Sequence, residues 1–309
     1  MNILLTGATG FVGSHLLHHL LTEHHNVTIL KRSTSDTWRI KDSINNVSSV
    51  DIENENDLSE VISQHHIDAV IHTATHYIKR ETDQEELQAM NEANITFPTL
   101  LLDAAVKNGV AYFVNTGTCF EYALSDTPVS ETSPTEAYNY YAATKLAFEN
   151  ILSYYAKMHP IHAATLKLFY PYGEKDNKKI IPLIMQSYAH DTHLTISKGE
   201  QQLDFTYVGD IVKAYTHALN YLLSRSYTKY TTFNIGASNP TRIKDIVSKT
   251  ESISRKKGLV TCSNTYPPHD IMHLESDSSK ALNILGWKAT TAIDEGLKRT
   301  YNYYLHNKK

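Results

Sequence analysis

Thr6-Gly-Ala-Thr-Gly-Phe-Val-Gly13 follows directly on a short apolar strand, Asn2–Leu5, and opens a helical pattern carrying Val12, Leu16, Leu17, Leu20 and Leu21. Glycines at 7, 10 and 13 allow a tight turn, close approach of backbone to a pyrophosphate, and close packing of helix on strand. The helix N-terminus adds unpaired N–H groups and a partial positive charge for the anion. A glycine triplet by itself is a weak signal; set between a strand and a helix at the extreme N-terminus, it is a strong one. It predicts a dinucleotide-binding turn built on Gly7, Thr9, Gly10, Phe11, Val12 and Gly13.

Outward from that turn, strand and helix alternate. The second strand, Val27–Leu30, ends in Lys31-Arg32-Ser33-Thr34. Preference for NAD usually places an acid at this strand end, on the ribose 2′-OH. Two cations and two hydroxyls stand here instead, a cluster that suits the extra phosphate of NADP; the plainer alternative is a solvated charge pair. The expected cofactor is NADP(H), with NAD(H) as the alternative. Val47–Val50 reads as a third strand ending at Asp51, Asp57–Gln64 as helix, and Ala69–Thr73 as a fourth strand. Leu87–Lys107 reads as one long helix stopped by Asn108-Gly109, and Tyr112–Thr116 as a fifth strand leading into Thr116-Gly-Thr118-Cys-Phe-Glu-Tyr122. Such alternation means an α/β fold with a doubly wound parallel sheet.

Ala163–Lys167 is a sixth strand, beyond which the pattern loosens. Helical segments near Ile180–Ala189, Asp210–Leu223, Arg242–Ser254 and Ala292–Leu305 are separated in places by short strands near Leu194–Ile196, Phe205–Tyr207 and Phe233–Ile235. The expected division is a dinucleotide-binding domain over 1–167 and a smaller α/β substrate lobe over 168–309, with segments interleaved between the two.

Composition narrows the function classes. The 309 residues are 41% hydrophobic and 20% charged with net charge −4, which gives no basic excess for nucleic acid or an anionic membrane. Cys119 and Cys262 are the two cysteines, so no disulfide framework is indicated. No apolar run is long enough to span a bilayer, and a strand starting at Asn2 leaves no room for a signal peptide; the cytoplasm is the expected location. The histidine pairs 18–19, 24–25 and 65–66 lack metal-ligand spacing with a catalytic carboxylate, and no metal site is expected.

Chemistry is carried by Tyr141-Ala-Ala-Thr-Lys145, inside a helical pattern from Tyr138 to about Met158. Tyr141 and Lys145 lie one turn apart and share a face. A phenol has an unperturbed pKa of about 10, and an ammonium beside it favours the phenolate, bringing it nearer the working pH. The pair is common by chance; its weight comes from lying downstream of the glycine turn and of Asn115–Tyr122, in that order.

With these stretches in hand, the chain resembles the extended short-chain dehydrogenase/reductase family, in its nucleotide-sugar epimerase, dehydratase and reductase branch, over nearly its whole length. Thr6–Gly13 is similar to the family's TGxxGxxG turn, and Tyr141 and Lys145 to its YxxxK pair. Thr118 stands where the family keeps a catalytic Ser or Thr. The resemblance further implies adenine contact at Asp51 and Ile52, cofactor contact at Thr73, Ala74 and Thr75, and a structural Asn at Asn94. Pro171-Tyr-Gly173, Asp204-Phe205, Val208-Gly-Asp210, Asn234-Ile-Gly236 and Leu285-Gly-Trp287 match later landmarks. Within the branch, Tyr154–His159, Gly199–Gln201 and Asp270–Met272 are most similar to the group that reduces CDP-4-keto-3,6-dideoxyhexoses at C4 for O-antigen. Departures fall near the nucleotide-diphosphate site: Leu203 replaces an Arg, Phe169 or Tyr170 an Asn, and His269 stands where a stronger base is usual.

The resemblance implies hydride transfer from a nicotinamide to a sugar ketone, with Tyr141 as proton donor, Lys145 on the cofactor ribose, and Thr118 on the carbonyl oxygen. It also implies a nucleotide-sugar partner and a homodimer. The dimer bundle would be built from Leu100, Leu101, Ala104 and Ala105 with Ala147, Ile151, Tyr154 and Tyr155. An NAD-retaining C4 epimerase uses the same triad and is the alternative. A dehydratase needs an acid and a base where Cys119 and Phe120 stand, and a non-enzymatic dinucleotide-binding scaffold would be expected to lose part of the triad.

Overall fold

The computed structural model describes residues 1–52, 57–77, 84–177, 179–224 and 229–307. Runs of Val, Ile, Leu and Thr form β1 (Asn2–Thr6), β2 (Asn26–Lys31), β3 (Ser48–Asp51), β4 (Ala69–His72), β5 (Tyr112–Thr118) and β6 (His162–Leu168). Four short strands follow, β7 (Pro171–Tyr172), β8 (Leu194–Ile196), β9 (Gln202–Leu203) and β10 (Thr206–Tyr207), and then β11 (Tyr230–Ile235). The main sheet is parallel, in the order β11-β6-β5-β4-β1-β2-β3. From β1 the chain winds one way through β2 and β3 and the other way through β4, β5, β6 and β11. The crevice beyond the carboxyl ends of β1 and β4 is therefore a topological switch point, where open α/β sheets take their ligands.

The helices are α1 (Phe11–Thr22), α2 (Leu58–Gln64), α3 (Gln84–Asn91), α4 (Phe97–Lys107), α5 (Tyr140–Met158), α6 (Ile180–His190), α7 (Val208–Leu223), α8 (Ile243–Ser254) and α9 (Ile293–His306). Alternation along the strands sorts the core. Ile3 and Leu5 of β1 meet Leu16, Leu17 and Leu20 of α1 and Ile211 of α7 on one face. Leu4 and Val70 meet Leu58 of α2, Leu101 and Leu102 of α4 and Phe148 of α5 on the other. With both faces covered, the strands read as continuous apolar runs rather than as alternating ones. Helices α6, α8 and α9 pack on one another, and their apolar side chains join the core of the α1 face. Among the described residues no helix is long and apolar enough to cross a membrane.

Two elements differ from the sequence reading. Leu87–Lys107 is not one regular helix: α3 gives way to a π turn over Glu92–Thr96 before α4 begins. Pro98 supplies the reason, because it has no N–H to give and its ring crowds the carbonyl four residues back, at Asn94. Leu101, Ala104 and Ala105, expected on an open helix face, are buried among α2, α5 and the sheet, while Leu100 stays exposed. The apolar stripe of α4 faces its own domain.

Candidate active site

At the end of β1 the chain turns at Gly7, which has φ +75°, and a Cβ there would stand 2.5 Å from the Ala74 nitrogen. A Cβ on Gly13 would stand 2.1 Å from the Gly7 carbonyl oxygen. Only glycine lets the two stretches approach so closely. Gly10 caps α1 with no side-chain hydrogen bond, and the first turn, with Phe11 and Val12, holds no acid. Its N–H groups and positive dipole end therefore face the crevice unneutralised by a side chain, a cradle that fits a pyrophosphate. Thr9 lends its carbonyl to Arg39 Nη1 at 3.4 Å. The same guanidinium donates to the Lys175 carbonyl at 2.9 Å and to Asn177 Oδ1 at 3.0 Å, pinning the segment before α6 beside the glycine turn.

Parallel register of β1 with β4 sets Thr6 against His72 and so brings Thr73-Ala74-Thr75 alongside the glycine turn. The Thr73 hydroxyl donates to the Thr6 carbonyl at 2.8 Å, and Thr6 Oγ1 lies 2.8 Å from His72 Nδ1. His72 is fully buried against Phe97, Phe113 and Phe148. Burial, reinforced by the Lys145 charge, holds it well below the usual histidine range and hence neutral.

The ends of β2 and β3 refine the cofactor reading. Register places Lys31 opposite Asp51, and the two side chains form an ion pair; the Ile52 N–H donates to the Lys31 carbonyl at 2.9 Å. Lys31, expected as one of two free cations, is therefore balanced by the residue expected on adenine. Arg32 is exposed and has no ion-pair partner among the described residues.

Asn94, freed by the π turn, is completely buried and ties the site together. Its Oδ1 accepts from the Thr75 hydroxyl at 3.0 Å and the His76 N–H at 2.8 Å. Its Nδ2 donates to the His76 carbonyl at 2.9 Å and to Thr144 Oγ1 at 3.0 Å. The Thr144 hydroxyl donates in turn to the Tyr141 carbonyl at 2.7 Å. The loop after β4 and the first turn of α5 are thus held by one side chain. Asn139 caps α5, accepting from the Ala142 N–H at 2.9 Å.

On that turn Tyr141 sits edge-on to Tyr77, with ring centroids 4.9 Å apart. Burial pushes its phenol above the ordinary tyrosine value, its hydrogen-bonding contact with Thr75 opposing. The direction is opposite to the lowering expected from a neighbouring ammonium. Lys145, 2% exposed, is itself lowered to about 8 by burial, against the pull of Glu121 and Glu149. Thr118 ends β5, the strand packed against that helix, and is buried. Its Oγ1 accepts from the Phe120 N–H at 3.3 Å. Burial raises the neighbouring Cys119 thiol to about 12, so it is a neutral wall and not an acid. Thr118 thus closes β5, while Tyr141 and Lys145 lie on α5, the helix packed against that strand.

Sequence reading missed several charged residues here. Glu121 Oε1 accepts from the Thr118 N–H at 2.9 Å. Lys167 Nζ lies 3.0 Å from Glu121 and 3.4 Å from Glu149, over the Tyr122 ring at 4.6 Å. Lys179, which caps the start of α6, has its pKa lowered by desolvation, Asp176 opposing. None of these has a motif; Glu121, Glu149 and Lys167 meet only through the register of β5 with β6, the turn after β5 and the packing of α5 across them. Of the residues that depart from the family pattern, Leu203 is buried, Tyr170 and His269 take positive φ, and the His269 carbonyl accepts from the Tyr138 hydroxyl at 2.6 Å.

Residues 3–236 match the family described as NAD dependent epimerase/dehydratase. The chain is 29% identical to a CDP-abequose synthase of Salmonella muenchen, over 96% of each chain. It is 26% identical to a dTDP-4-dehydro-6-deoxyglucose reductase of Escherichia coli, over 96% of this chain and 95% of that one. It also superposes, with TM-score 0.88 and 25% identity over 98% of each chain, on a UDP-glucose-4-epimerase from Stenotrophomonas maltophila with bound NAD and formylated UDP-arabinopyranose.

Proposed function

The chain belongs to the NAD dependent epimerase/dehydratase family, and from that premise we propose that it reduces the C4 ketone of a nucleotide-linked deoxyhexose with NADPH. A CDP-4-keto-3,6-dideoxyhexose is the favoured substrate, by likeness to CDP-abequose synthase. The observation that carries the reading is that the site holds a phenol kept in its protonated form, beside a strand-end threonine hydroxyl. Tyr141 is held as a phenol by burial, and the Thr118 oxygen already accepts a backbone N–H.

The glycine cradle, with Thr73, Ala74 and Thr75 beside it, would hold the dinucleotide, which when bound supplies a hydride to the ketone carbon. Thr118 directs its hydroxyl hydrogen at the ketone oxygen and stabilises the charge that develops there. Tyr141 delivers its phenolic proton to that oxygen, and the resulting phenolate is stabilised by the Lys145 ammonium one turn away. His72 stays neutral beneath them, so it adds no competing charge. Arg32 supplies the open cation for a 2′-phosphate.

The second reading, an NAD-retaining C4 epimerase, is favoured by the likeness to the Stenotrophomonas enzyme and by the neutralisation of Lys31. The test is to incubate purified protein with CDP-4-keto-3,6-dideoxyglucose and NADPH, following absorbance at 340 nm. One NADPH consumed per ketosugar is expected, from protein isolated largely free of dinucleotide. Interconversion of two C4 epimers by protein carrying its own NAD, with no added reductant, would establish the epimerase instead.

A further inference from the structure

Glu121, Glu149 and Lys167 form a buried charged cluster directly behind the hydroxyl and ammonium of the site, and the mechanism above does not use it. Tyr141, Lys145 and Glu149 follow one another at one-turn intervals along α5, so the cluster continues the same helix face. Glu121 is completely buried. It closes the turn Cys119–Glu121 as a reciprocal cap, its Oε1 2.9 Å from the Thr118 nitrogen while Thr118 Oγ1 accepts from Phe120. Its second oxygen faces the Lys167 ammonium at 3.0 Å, and Lys167 is fixed from below by Glu149 at 3.4 Å and by the Tyr122 ring. The Tyr122 hydroxyl is held by Asn234 Oδ1 at 2.6 Å. Gly117 leaves the room: a Cβ there would lie 3.2 Å from Glu121 Oε1 and from Lys167 Cγ, and 2.8 Å from Thr165 Cγ2.

We infer that Glu121 is a positioning residue, which, braced by Lys167 and Glu149, fixes the backbone of Thr118 and so aims its hydroxyl at the reacting oxygen. A hydroxyl that stabilises a developing oxyanion works only from a held position, and a misplacement of about 1 Å is enough to lose on the order of a hundredfold in rate. An exposed carboxylate could not do the holding, because water would compete for the Thr118 N–H; a buried one, charge-paired on its far side, does. Burial and the Glu121 charge raise the Glu149 carboxyl to about 8.

The inference rests on the proposed reaction for its consequence but not for its geometry, and the experiment separates the two. In selectively ¹⁵N-threonine-labelled protein, E121M should raise hydrogen exchange of the Thr118 amide by on the order of ten- to a hundredfold, while E121Q, which keeps a carbonyl acceptor, should leave it near wild type. In the NADPH assay E121M should lower kcat about a hundredfold with the KM for NADPH unchanged, E121Q should restore most of it, and E121M should add nothing on a T118A background. If E121M alone does not fold, E121M/K167M removes both charges together and is measured in its place. Unchanged Thr118 exchange, or losses that multiply with T118A, overturns the inference. Absence of turnover in wild type overturns the reaction instead and leaves the exchange measurement to decide on Glu121.

Discussion

Tyr141 and Lys145 are pushed in directions that together set a pH window. Reduction needs the phenol protonated and the ammonium charged. Tyr141 lies above its ordinary value, so it remains a proton donor throughout the neutral range. Lys145 is lowered to about 8 and is the group that titrates first as pH rises. kcat should therefore be level from about pH 6 to 7.5 and fall toward tenfold per unit above about pH 8, as a pH–rate profile will show; a rise above pH 8 would mean that Lys145 acts uncharged. Tyr141→Phe keeps the ring against Tyr77 and removes the proton. Turnover should drop ~10²–10⁴-fold with the dinucleotide Kd, followed by NADPH fluorescence, changed little. At the strand end, Arg32→Asp should weaken NADPH far more than NADH, because Arg32 is the cation left open once Lys31 is paired. Equal losses for both cofactors would remove Arg32 from phosphate recognition.

The π turn before α4 shows an element deviating where the site needs it. Pro98 breaks the hydrogen-bond ladder, and Asn94 uses the break to hold the loop after β4 against α5. Asn94→Ala leaves the His76 N–H and carbonyl and the Thr75 hydroxyl without their partner at a half-buried junction, and should destabilise the fold by about 1–3 kcal/mol. Chemical denaturation will measure that, and a loss below about 1 kcal/mol would mean that water replaces the amide. The sequence showed that a long apolar-periodic segment lies here but not the break, since a single proline within a helical period is also compatible with a kink. The glycine turn, by contrast, was legible because strand, glycines and helix are adjacent in the chain. The charged cluster was not, because Glu121, Glu149 and Lys167 meet only when β5 pairs with β6 and α5 folds across them.

At the scale of the whole molecule, the sheet and its switch point follow from alternation of apolar strands with amphipathic helices. What alternation could not give is which helical stripe is covered from within. Leu101, Ala104 and Ala105 are consumed by the core, so a dimer seam on α4 and α5 would rest on Leu100, Tyr154 and Met158, the last two 59% and 62% exposed. A homodimer through that surface should be converted to monomer by Tyr154→Arg in sedimentation at micromolar concentration; a variant that sediments as wild type places the contact elsewhere. Gly117 finally bears on how this protein can diverge. Because the space it leaves is filled by the Glu121–Lys167 pair, positions 117, 121 and 167 are not free to drift one at a time. The floor beneath Thr118 changes only as a block. Descendants of this chain can acquire new substrates more easily than a new place for the hydroxyl.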